Sequence, residues 1–140
     1  MKSKEPKLIV SLYLRGQALD PEAVTHVIGI LPTSVQSSGH RKVTSSGREF
    51  TTKLGVWSLS VELDSSSLDA HLAQLARNLP YGVNFASIPG VNDAYFDVFV
   101  ALATDSDGEA KGEFDISQVV LGVLARLGLP VRITITAGQD

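Results

Sequence analysis

Alternation is the first regularity along the chain. Leu8, Val10, Leu12 and Leu14 fall on every second position, which predicts an opening strand with one apolar face and Tyr13 and Arg15 on the other. The run Leu54 to Leu63 repeats the pattern, with Trp57, Leu59, Val61 and Leu63 on one side and Val56, Ser58, Ser60 and Glu62 on the other. Tyr95 to Ala103 predicts a third strong strand: Phe96, Val98, Val100 and Leu102 share a face, and Tyr95, Asp97 and Phe99 share its opposite. Val131 to Ala137 predicts a closing strand, Val131, Ile133 and Ile135 inward and Arg132, Thr134 and Thr136 outward.

Helical spacing separates these strands. Asp20-Pro21-Glu22 starts a short helix, with Asp20 as N-cap and Pro21 where a missing N–H costs nothing; Gly29 and Pro32 stop it. Leu68, Leu72, Leu75 and Leu79 predict an amphipathic second helix, opened by a capping box from Ser66 to Asp69. A third helix carries Ile116, Val119, Val120, Val123, Leu124 and Leu127, capped by Asp115 and ended by Gly128. Residues 33–53 are irregular, with small β pieces expected around Val35, Val43 and Phe50, and a short strand is expected within Val83 to Ile88. Strands that alternate, rather than run continuously apolar, favour a sheet with helices on one face. The expected fold is α+β: a largely antiparallel sheet of about four to six strands with three helices packed on one face, a two-layer sandwich, residues 1–140 forming one domain.

Several residues and spacings resemble a bacterial family known only as domain of unknown function 4279. They are the opening strand, Leu19-Asp20-Pro21 before a short helix, Gly29-Ile30-Leu31-Pro32-Thr33, Gly39, Gly55-Val56-Trp57, the Leu127-Gly128-Leu129-Pro130 turn and the alternating last strand. The likeness covers nearly the whole chain. Members often carry a basic residue before the glycine at 39; here Ser38 stands there, and His40, Arg41 and Lys42 follow it. The resemblance implies a fold and no activity. Small domains of this general kind also look like immunity proteins of bacterial toxin systems.

Composition removes some chemistries. The 140 residues contain no cysteine, which excludes thiolate catalysis, thiolate metal sites and disulfides. A chain of this length buries about two-thirds of its unfolded surface and needs no metal to hold together. The apolar run Leu8 to Leu14 is too short to span a membrane, so no membrane partner is expected, and the location expected is the cytoplasm. His26, His40 and His71 lie on separate elements without metal-ligand spacing, so no metal and no cofactor are expected. Asp105-Ser106-Asp107-Gly108 invites a calcium reading, but with Gly108 in the sixth loop place the first and twelfth places are Ala103 and Phe114, which offer no side-chain oxygen. It reads as an acidic turn. Neither G-x-S-x-G nor a phosphate-binding G-x-x-x-x-G-K-[ST] occurs.

Charge is uneven. The net charge is −3, yet residues 1–60 hold eight Lys/Arg against four acids, and residues 61–140 hold four against eleven. The basic loop His40, Arg41 and Lys42, with Arg48 and Lys53, is brief and lacks interleaved aromatics, which argues against nucleic acid and for a protein partner or a second copy. The other candidate surface is the sheet face opposite the helices: Tyr13, Arg15, Tyr95, Asp97, Phe99 and Arg132. Aromatics with both charge signs suit a partner contact or a small-molecule cleft. The plainer and favoured reading covers that face with residues 33–53 or with a twin subunit. The leading expectation is a non-catalytic cytoplasmic protein-binding domain, immunity-like in kind. The alternative is a small-molecule-binding or enzymatic domain that uses the open face.

Overall fold

The structure is a computed structural model and describes residues 5–39, 41–51 and 53–138. Seven strands and three helices follow in the order β1 (Lys7–Gly16), α1 (Pro21–Ile28), β2 (Ser34–Gln36), β3 (Arg41–Val43), β4 (Glu49–Thr51), β5 (Gly55–Val61), α2 (Leu68–Asn78), β6 (Asp93–Ala103), α3 (Gln118–Leu127) and β7 (Val131–Gly138). Five strands form one sheet in the order β2-β5-β1-β6-β7, and β3 and β4 form a separate hairpin. β2 pairs antiparallel with β5, whereas β7 runs parallel to β6. The fold is α+β, with a largely antiparallel sheet and three helices, as the alternation predicts. The small β pieces at 35, 43 and 50 are all present.

Two compact units can be described. One consists of the described residues within Met1–Ser11, Ser60–Asn78 and Phe96–Asp140, the other of those within Leu12–Leu59 and Leu79–Tyr95. The strands β1, β5 and β6 each start in one unit and end in the other.

In the second unit, Asp20 Oδ1 accepts from the Glu22 N–H at 3.1 Å, and Pro21 opens α1 as expected. Gly29 closes the helix with φ at 80°, a left-handed conformation that glycine adopts without a Cβ clash, while its N–H donates to Thr25 O. Trp57 is fully buried and its Nε1–H donates to Thr25 Oγ1 at 3.0 Å, which ties α1 to β5. Gly55 is required by a close approach: a Cβ there would lie 2.4 Å from the Leu19 carbonyl oxygen. Residues 85–87 form a single 3-10 turn where a strand is expected from the sequence; its Phe85 is wholly buried. One buried aromatic on a tight turn fills a core position without the ladder partners a strand needs.

In the first unit, α2 buries Leu68, His71, Leu72 and Leu75, and α2 touches α3. The start of α2 falls one residue later than the capping box from Ser66 predicts. Ser67 Oγ accepts from the Ala70 N–H at 3.0 Å, and Ser65 Oγ accepts from the Ser67 N–H. α3 likewise begins later. Its N-cap is Ser117, whose Oγ accepts from the Val120 N–H at 3.2 Å, and not Asp115. Asp69 Oδ1 accepts from the Ser117 N–H at 2.7 Å, so the acid of one helix start fixes the entry of the next. Only Val120 and Leu124 of α3 are buried; Val119 and Leu121 face solvent.

Candidate functional site

The parity of β1 and β6 decides which side chains meet. On β1, Leu8, Val10, Leu12 and Leu14 are buried, so Tyr13 and Arg15 stand on the opposite side with partial exposure. On β6, Phe96, Val98 and Val100 are buried, which sends Tyr95, Asp97 and Phe99 the other way. The phases read from the sequence for β1 and β6 hold.

In the second unit, Tyr13, Arg15 and Tyr95 form one cluster. The rings of Tyr13 and Tyr95 stack with centroids 5.5 Å apart and planes 14° from parallel. Arg15 Nη1–H donates to Tyr95 Oη at 3.3 Å. That bond raises the guanidinium pKa above its usual value; burial pulls it back, and the nearby Tyr95 and Asp93 add to the rise. Tyr95 is only 6% exposed, so its ring is packed rather than presented.

In the first unit, Asp97 lies beside Arg132 and Phe99 beside Thr134 in the parallel register of β6 and β7. Burial pushes the Asp97 carboxyl above its usual range, and the Arg132 charge partly offsets this. The structure thus brings Tyr13, Arg15 and Tyr95 into one cluster, and sets Asp97 beside Arg132 and Phe99 beside Thr134.

The family described as a domain of unknown function (DUF4279) matches residues 6–138, nearly the whole chain. The chain belongs to the DUF4279 family. No curated protein and no solved structure matches it.

The remaining candidates in this DUF4279 chain are quickly placed. His40 lies outside the described residues. Arg41 and Lys42 sit on β3 of the hairpin, where Arg41 is paired with Glu49 on β4, so the basic loop neutralises part of its own charge. The acidic turn behaves as a turn: Asp105 Oδ1 accepts from the Asp107 and Glu109 N–H groups, both at 2.9 Å. Among the described residues no group of three or more His, Asp and Glu could hold a metal ion, and no helix is long and apolar enough to cross a membrane.

A cleft of about 460 Å³ in the first unit is lined by Glu5, Pro6, Lys7, Leu8 and residues 62–65. Lys7 and Glu62 form an ion pair there at 3.4 Å.

The surface that sequence reasoning misplaces is β7. Val131, Ile133 and Ile135 are in register with the buried Phe96, Val98 and Val100, so their phase matches the expectation. They are nevertheless 39%, 57% and 59% exposed. β7 ends the strand order and, among the described residues, has a strand neighbour on one side only. Alternation reports which face a residue occupies, not how far the cover extends. Only the strand order could have revealed this.

Proposed function

We propose that this DUF4279 chain is a non-catalytic, cytoplasmic protein-binding domain. The observation that carries the reading is the edge strand β7, on which all eight residues, Val131, Ile133 and Ile135 among them, are exposed. An uncovered edge with apolar side chains is a template for another chain, by added main-chain hydrogen bonds and apolar burial. Chemistry finds less support. Of the polar residues on the candidate face, Arg15 is engaged by Tyr95 and Asp97 by the charge of Arg132. A cysteine-free chain also loses nothing in a reducing compartment. An immunity-like role is the form of this reading in which the bound protein is a toxin.

The test is retention of proteins from a lysate of the source cell on the immobilised full chain, compared with an Ile133→Lys, Ile135→Lys double variant. A specific protein retained by wild type and reduced at least about tenfold by the variant is expected. Equal retention by both overturns the role of β7. A thermal shift with small anions that Arg15→Gln abolishes, without any protein retained, would favour the small-molecule reading.

A further inference from the structure

The edge of β7 shows what kind of strand it can accept. At the two ends of the β6–β7 ladder, the Phe96 N–H donates to Pro130 O at 2.9 Å and the Thr104 N–H to Gly138 O at 3.2 Å. In a parallel ladder alternate residues bond to a given neighbour. The even-numbered residues of β7 therefore turn their main chain towards β6. Val131, Ile133, Ile135 and Ala137 turn theirs to the free side. Among the described residues, the N–H and C=O groups on the side of β7 away from β6 thus belong to the residues that include the three exposed apolar side chains.

We infer that β7 pairs antiparallel with β7 of a second copy of this chain, joining two sheets across a two-fold axis. The inference rests on the protein-binding reading and names its partner. Hydrogen-bonded pairs across such a junction must join outward-facing residues, so odd numbers must oppose odd numbers. Any register that meets this condition also brings the apolar row of each copy onto the same face. A two-fold axis at Thr134 sets Ile133 opposite Ile135 and Val131 opposite Ala137, with about eight main-chain hydrogen bonds across the junction. One sequence supplies both halves, as an isologous contact requires.

Charge permits the same register. Arg132 is the only charged residue of β7. In this pairing it faces Thr136 of the other copy and not a second Arg132. It also sits beside Asp97 on β6, which offsets its charge. β7 contains neither lysine nor proline, the residues that commonly keep an edge strand from pairing.

Sedimentation of the full chain from about 1 μM to about 1 mM tests this, with two variants beside wild type. Ile133→Pro removes an N–H that only a partner would use and leaves the β6 ladder intact. Ile133→Lys places a charge on the edge, in case proline disturbs folding. The expected result is a wild-type dimer whose dissociation constant rises at least about tenfold in each folded variant, with thermal midpoints near wild type. The dimer should persist when salt is raised from about 0.1 M to about 1 M, because its contacts are apolar and main-chain rather than ionic. A wild type that stays monomeric at the highest concentration overturns the inference. So does a dimer unchanged in both variants. A monomer that still retains another protein through β7 overturns the second copy alone; a chain that does neither overturns the protein-binding reading as well.

Discussion

His71 is completely buried on α2, and both ring nitrogens are used. Nδ1–H donates to Ser67 O at 2.7 Å, and Nε2 accepts from the Leu63 N–H at 3.0 Å. These partners fix the tautomer, because a carbonyl can only accept and an amide N–H can only donate. The ring thereby closes the link between β5 and α2. His71→Ala should cost about 2–4 kcal/mol, from the cavity and from an orphaned Leu63 amide. His71→Phe refills the space but not the bond, and should stay below wild type in urea denaturation. Equal stability of His71→Phe would mean that the Leu63 bond contributes nothing. Asp97 makes a pH-dependent prediction. Its pKa is raised in the fold, chiefly by burial, so the folded state holds that proton more tightly than the unfolded chain. The associated stability is complete below the ordinary aspartate value and is lost as pH rises through the raised one. Asp97→Asn should therefore match wild type near pH 3 and exceed it at about pH 7 in thermal midpoint. A variant less stable at pH 7 would show that the Arg132 attraction outweighs desolvation.

At the scale of elements, the helix starts separate what local chemistry can decide from what it cannot. Asp20-Pro21 allows one N-cap and the structure uses it. Ser65, Ser66 and Ser67 offer three hydroxyls in a row, each able to cap, and the choice falls on Ser67 because the packing of α2 sets where its first turn begins. Ser67→Ala should cost about 1 kcal/mol in chemical denaturation, and Ser66→Ala close to nothing. Equal losses would return the cap to Ser66. β7 makes the same point about strands. Its alternation identifies the face of Ile133 and Ile135 correctly, since parity is a property of an extended chain. Its exposure follows from lying last in the sheet order, which no local pattern encodes.

For the whole molecule, three strands pass from one compact unit into the other, so each unit holds part of the same β1, β5 and β6. A strand that loses its ladder in one place loses the support of its continuation, and unfolding should be one cooperative transition. Circular dichroism and tryptophan fluorescence should report the same thermal midpoint, unchanged by a chelator. Two separated transitions would mean that the units unfold independently. The uneven charge of the sequence is in part neutralised locally: Lys7 pairs with Glu62, Arg41 with Glu49, and Lys111 with Glu109. Such exposed pairs contribute little to stability each, and they weaken the case for a contact steered by the basic hairpin.

The amino-acid sequence by itself determined the α+β class, the faces of β1, β5 and β6, the cap at Asp20, the buried Trp57 and the acidic turn at Asp105. Each depends on steric and hydrogen-bonding rules that act within a few residues. Tertiary structure decided the rest. The strand order left β7 at an edge, the packing of α2 enclosed His71, and the register with β6 set Asp97 beside Arg132. These depend on which segments become neighbours. That choice is made by total burial and ladder pairing across the chain, and local alternation carries no record of it.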